Sequence, residues 1–251
     1  MAVDEGLTQL IDANPILRVY SWQPFTISIG YHQDAKEIDS AKCRRDGVGF
    51  VRRPTGGRAI FHAHEVTYSV IIPNGHRLFA KISVDVYNEI SSALVLGLQM
   101  AGLPVSLEKR SQPDAEFSIY HRQFACFASS ARYEIQYQSR KLVGSAQRRF
   151  ANAMLQHGSI LIGQHHLKLV EYLAGNENGN LQAARENLQK KTICIEEILN
   201  RKVRYDEIAA CMKGAFEKHF AIAFEPVTLT NEKLEFINQR KTVYTDLRRR
   251  L

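Results

Sequence analysis

Three places in this sequence hold residues suited to chemistry. The first is 49–73, GFVRRPTGGRAIFHAHEVTYSVIIP, where a glycine pair separates an arginine-rich approach from a long β-type run. Gly56 and Gly57 lack Cβ, so their backbone can reach positive φ and leave amide N–H groups open to a ligand. The second is Cys126 in FACFASS, and the third is KLVGSAQR at 141–148. Taken singly, each has an ordinary reading: a β-turn for the glycine pair, a buried apolar thiol for the cysteine, a solvated turn lysine for Lys141. On one strand, Ile60, His62, His64, Val66, Tyr68 and Val70 share a face, and Phe61, Ala63, Glu65, Thr67 and Ser69 share the other. His62 and His64 then stand as a conceivable metal pair, but no third ligand is evident, so both are read as structural or surface histidines. His165 and His166 are read as surface residues, and Arg52 as facing solvent or a carboxylate.

Composition narrows the classes. The chain has 251 residues, 45% hydrophobic and 24% charged, ordinary values for a globular protein with a substantial core. No apolar run is long enough to cross a bilayer, and MAVDEGLTQL carries acidic residues where a signal peptide needs basic ones, so the expected location is the cytoplasm. Cys43, Cys126, Cys194 and Cys211 are scattered without CxxC spacing, which argues against zinc and against a disulfide framework. A formal charge of +7 points to an anionic partner. No basic stripe with interleaved aromatics accompanies it, so an acidic protein fits better than nucleic acid.

The elements that must position these residues follow from periodicity. Residues 3–12 read as the end of an amphipathic helix, 16–22 and 25–30 as strands joined by Gln23-Pro24, and 35–45 as a short helix stopped by Gly47. The longest helical pattern is 79–101, closed by Gly102 and Pro104. A short strand is expected at 105–107, a loop at 108–122, a hairpin at 133–137 and 141–144, and a strand at 153–162. Beyond Gly163 come a short helix at 166–173, a polar link at 175–180, helices at about 193–199 and 205–220, a strand at 224–229 and a last helix at 231–244. Strands gathered in the first two thirds, without βαβ alternation, predict an α+β fold: a mixed, largely antiparallel sheet with flanking helices and a small helical C-terminal extension. The expected division is a catalytic domain at 1–180 and an extension at 181–251.

RRPTGGRAIFH, KLVGSAQRR and LQHGSILI, in that order, resemble the lipoate and biotin protein ligase superfamily, with the likeness running from the first helix to about residue 163. Within it the sequence looks most like the cysteine-dependent octanoyltransferases that begin lipoyl-cofactor assembly in bacteria. Arg58 stands where the ATP-using ligases commonly carry a third glycine, and FACF places Cys126 where the transferases keep their nucleophile. The resemblance implies transfer of an octanoyl group from acyl carrier protein to a lysine of a lipoyl domain or of the glycine cleavage H protein, with no cofactor, metal, nucleic acid or membrane.

On this resemblance Cys126 is the nucleophile that carries the acyl group as a thioester. A thiol near pKa ~8.5 needs a cation to raise its thiolate fraction. The resemblance gives Lys141 that role, as an ammonium beside thiolate or oxyanion and as a neutral amine that deprotonates the substrate lysine, both states being reachable if burial lowers its pKa. Arg53, Thr55, Gly56, Gly57 and Arg58 are implied as the wall of the acyl and pantetheine site, with His62 and the Gly144, Ser145, Ala146 segment also contacting substrate. Ile60, Val66 and Tyr68 are suited to line an acyl tunnel, and His157 to support the site from behind.

Two positions depart from the family pattern. Ala63 replaces a frequent aspartate, which puts in doubt any role needing a carboxylate beside His62. MAVDEGL matches the interior of the family's first helix, so an edge strand that usually precedes it is expected to be missing. The same residues leave other readings open: an ATP-dependent lipoate ligase, an octanoyl amidotransferase between lipoyl domains, or a non-catalytic protein that binds acyl carrier or lipoyl domains.

Overall fold

β-Branched and aromatic runs broken by glycine and proline turns build two sheets. The computed structural model describes residues 1–109, 133–175 and 181–245. Its large sheet has the order β1 (Ile16–Tyr20), β5 (Glu65–Pro73), β9 (Ala153–Leu161), β8 (Arg140–Arg149), β7 (Tyr133–Tyr137) and β6 (Ser106–Lys109), with every neighbouring pair antiparallel. The small sheet has the order β3 (Gly49–Arg52), β2 (Thr26–Ile29) and β4 (Ile60–His62), with β2 parallel to β3 and antiparallel to β4. The α+β class and largely antiparallel sheet are those expected.

Alternation decides what covers each face. Val66, Tyr68, Val70 and Ile72 of β5 join the main core with Val86, Ile90, Leu94 and Leu98 of α3 (Ser83–Met100) and with Ile208, Met212 and Phe216 of α6 (Tyr205–Phe220). α4 (Leu181–Lys191) and α5 (Ile195–Leu199) add Leu188 and Ile195 to the same core. On the opposite face, Ile71 and Leu155 pack against Leu7 of α1 (Ala2–Leu10), which in turn meets α7 (Asn231–Thr245) through Ile237. The small sheet turns Ile27, Ile29 and Phe61 outward under the 3-10 helix Gln164–Tyr172, together with Cys43 of α2 (Ser40–Arg45). Its inward residues, among them Ser28 and His62, face the large sheet. No helix among the described residues is long and apolar enough to cross a membrane.

Several expectations need correction. The run 60–70 is not one strand: the chain bends at Ala63 and His64 and passes from the small sheet to the large one, so His62 and His64 do not share a strand face. The segment 35–45 divides into a 3-10 turn, Ala35–Glu37, and α2. The long helix begins at Ser83 rather than 79, and the strand after it runs to Lys109, into the expected loop; residues 110–122 lie outside the described ones. Residues 224–229 form no strand. The second strand of the hairpin, expected at 141–144, runs from Arg140 to Arg149 and so takes in all of GSAQ. Arg52 does not face solvent: it is buried, and its Nη1 donates to the carbonyls of Gly30, Tyr31 and Gln33.

His166 is likewise buried, not on the surface, with Nε2 2.8 Å from Thr192 Oγ1. Burial pushes its imidazole down to about 4 from an ordinary 6.5. The unfolded chain therefore takes up a proton at higher pH than the folded one. The stability this represents is present above pH 6.5 and is lost as pH falls toward 4, a swing of about 3 kcal/mol. Denaturant unfolding between these limits should show a pH slope that His166→Gln flattens; an equal slope in the variant assigns it to another group. A second test concerns β9. A Cβ on Gly158 would collide with the Gly144 carbonyl and lie 2.7 Å from Tyr68 Cε1, so Gly158→Ala should cost roughly 1–3 kcal/mol, and an unchanged melting temperature would contradict that packing.

Candidate active site

The face of the large sheet that looks toward the small sheet is polar and buried. Glu65, its side chain 1% exposed, accepts from His62 Nδ1 at 2.7 Å, from Thr67 Oγ1 at 2.5 Å and from Ser159 Oγ. Ser28 Oγ lies 2.7 Å from His62 Nε2 and 3.2 Å from Arg53 Nη1. A carboxylate at Nδ1 selects the tautomer protonated there, so Nε2 accepts from the serine. The Trp22 ring stacks on the His62 ring at 4.5 Å, and its Nε1 donates to Thr67 Oγ1. Ala63 thus leaves His62 with a carboxylate after all, because the bend at 63–64 brings Glu65 to its ring. The sequence pattern hid this by placing Glu65 on the opposite face of a single strand.

Arg53 is fully buried and holds the glycine turn: Nε and Nη2 donate to Gly56 O, and Nη2 donates to Arg58 O at 2.7 Å. Gly57 has φ +96°, the positive value that only glycine adopts freely, and its carbonyl approaches Gly30 so closely that a side chain there has no room. Thr55 Oγ1 lies 2.6 Å from His157 Nε2. Burial pushes His157 down against the pull of Asp4, whose Oδ2 is 3.6 Å from its Nδ1. Burial would raise the Asp4 carboxyl, yet His157 and Arg18 outweigh it and hold it far below the carboxylate range. Asp4 also accepts from Arg18, Tyr20 Oη and Ser69 Oγ, fastening α1 to the sheet behind the site. His157 is thus tied to the glycine turn through Thr55 and to α1 through Asp4.

A cavity of about 10 Å³ lies between these groups, lined by Arg53, Ile60, His62, Thr67 and His157 and by Gly144, Ser145 and Ala146. That is about the room of one water. Of the expected tunnel residues Ile60 lines it, whereas Val66 and Tyr68 belong to the core shared with α3. Ser145 Oγ is held at 2.7 Å by Tyr68 Oη, whose titration burial pushes up to about 12. Thr55, Gly56, Gly57 and Arg58 are outside the lining, in the turn that Arg53 secures.

Lys141 reaches the same face through a β-bulge. Ile135 pairs with Val143 but Gln136 pairs with Lys141, leaving Leu142 as an extra residue in β8. Leu142 and Val143 both enter the main core, and Lys141 is turned onto the face of Gly144 and Ala146. Without the extra residue it would share the core face with Val143. Lys141 is a buried strand residue, not a solvated turn lysine, and its Nζ donates to Glu134 Oε1 at 2.8 Å. Glu134 is buried too, and its Oε2 accepts from Gln136 Nε2 at 3.1 Å. Glu134 carried no sequence signal beyond a place in a β-type run. Lys141 stands roughly 10 Å along the strand from Gly144. Cys126 lies outside the described residues. His64 meets His165 ring edge to face at 5.5 Å, and no group of three metal-ligating side chains occurs among the described residues.

Comparison with known proteins places this arrangement. Residues 1–217 match the family described as the lipoyl protein ligase A/B catalytic domain. The octanoyltransferase LipM of Staphylococcus epidermidis is 34% identical over 249 residues, 97% of this chain and 90% of that protein. The LipM octanoyltransferase of Bacillus subtilis is 34% identical over 243 residues, 95% of this chain and 87% of that protein. Among solved structures, a bi-partite lipoate protein ligase from Thermoplasma acidophilum superposes with a TM-score of 0.75 at 20% identity, covering 95% of this chain and 85% of that one. A lipoate-protein ligase A bound with ATP gives 0.73 at 21% identity, covering 95% and 87%. At such identities the structural likeness is one of fold, and the family rests on the sequence matches. The chain belongs to the lipoyl protein ligase A/B catalytic domain family.

Proposed function

We propose that this protein is an octanoyltransferase of lipoyl-cofactor assembly, working in the cytoplasm, which moves an octanoyl group from octanoyl-acyl carrier protein to a lysine of a lipoyl domain or glycine cleavage H protein. The observation that carries the reading is the near full-length likeness to LipM octanoyltransferases. Residues 1–180 form the catalytic unit and 181–251 the extension, whose helices α4, α5 and α6 add to the core. Cys126 Sγ, as thiolate, attacks the carbonyl carbon of the donor thioester, and the carrier's sulfur leaves with the bonding pair and takes a proton. The acceptor amine then attacks the octanoyl-cysteine. Its proton passes to Lys141, the new amide forms, and Cys126 is released as thiolate.

The buried face supplies the surroundings this scheme needs. Lys141 provides a cation beside a developing oxyanion or thiolate. The turn at Gly56 and Gly57, fastened by Arg53, offers backbone amides to the carbonyl or phosphate end of the donor. His62, with Glu65 behind it, lines the cavity beside Gly144, Ser145 and Ala146.

Intact-mass measurement after mixing with octanoyl-acyl carrier protein should show a gain of one octanoyl group, absent in Cys126→Ala. An adduct that persists in the alanine variant sinks the assignment, and pyrophosphate release from ATP with free octanoate or lipoate would favour a ligase instead. Lys141→Ala should lower transfer to apo H protein by about 10²–10⁴-fold, and transfer at the parent rate would remove Lys141 from the mechanism.

A further inference from the structure

Two buried charges of opposite sign face each other on β7 and β8, and the catalytic scheme uses only one. Lys141 and Glu134 are 5% and 4% exposed, 2.8 Å apart, and the second carboxylate oxygen is held by Gln136. A buried pair of this kind gains little net stability over apolar residues of the same size. Stability alone therefore does not account for a pair placed on the sheet face that Gly144 and Ala146 share. The same bulge that turns Lys141 onto the site face brings it into register with Gln136 and within reach of Glu134.

We propose that Glu134 is a positioning residue for octanoyl transfer, acting through Lys141. It holds the Nζ atom on the site face and stands against it there as a buried counter-charge. The inference rests on the proposed transferase chemistry. Among the described residues, the other charges near the pair are turned elsewhere or exposed. Glu108 lies opposite Glu134 on β6 but is exposed, and Arg140 turns to Glu197 of α5 at 2.6 Å. Lys190 and Lys191 occupy the last turn of α4, and His166, behind Thr192, is neutral at ordinary pH.

Glu134→Gln keeps the size and a hydrogen-bonding oxygen but removes this counter-charge from a buried ammonium, so the neutral amine is favoured at lower pH. The rising limb of the rate of transfer from octanoyl-Cys126 to apo H protein, followed from mildly acidic to alkaline pH, should move down by about 1–3 pH units. A structural role alone would lower the rate at every pH and leave the limb in place, and that result overturns the proposal. Glu134→Asp keeps the charge and withdraws it by one methylene. It should move the limb in the same direction by less, and it serves if the glutamine variant does not fold. Adduct mass on Cys126 is read in each protein: no adduct on the parent overturns the transferase reading and this inference together, whereas adducts with an unmoved limb overturn the inference alone.

Discussion

A buried carboxylate has to be satisfied or it destabilises the fold, and Glu65 joins the two sheets by meeting that demand. Its three donors come from β4, β5 and β9, and through His62 and Ser28 the chain of contacts reaches β2 and Arg53. Removing any one partner leaves a charge or a polar group without its hydrogen bond in a site closed to water. The small sheet is thereby held in one place against the large one, and the glycine turn, which hangs from Arg53, is held with it. Placement of the turn is thus a consequence of electrostatics beneath it more than of glycine's own freedom.

The bulge at Leu142 is the second constraint. Antiparallel strands alternate strictly, so a lysine two residues before a core valine should point into that core. One extra residue breaks the alternation locally, sends Leu142 and Val143 into the apolar layer under α3, and turns Lys141 to the polar side. Packing and chemistry are satisfied by the same irregularity. The result is a face where an ion pair, the Gly144 and Ala146 backbone, and the His62 and Glu65 pair lie along neighbouring strands.

The closeness of that face bears on how it works. The cavity beside His62 has room for about one water, and the apolar layer of the main core begins behind Ile60. Helix α1, tied through Asp4 to Arg18, Tyr20 and Ser69, backs the His157 end of the site. That end is braced, whereas the Lys141 end sits beside the start of β8.

The sequence by itself determined the class of fold, the order of most elements and the family. These depend on local periodicity, on turn residues and on three motifs whose order a single chain displays. It also singled out Lys141, Arg53, the glycine pair and the Gly144–Ala146 segment. It could not supply the partner of His62, the burial of Arg52 and His166, or the pairing of Glu134 with Lys141. The first and the last depend on a break in regularity, the bend at Ala63 and His64 that changes sheets and the bulge at Leu142 that changes faces, whereas Arg52 is buried against the carbonyls of Gly30, Tyr31 and Gln33 and His166 against Thr192. Period-two reasoning carries a side chain's direction along an unbroken strand, and one irregular residue reverses it. Only the tertiary structure, where register and sheet packing are settled by distant strands, decided which charges meet.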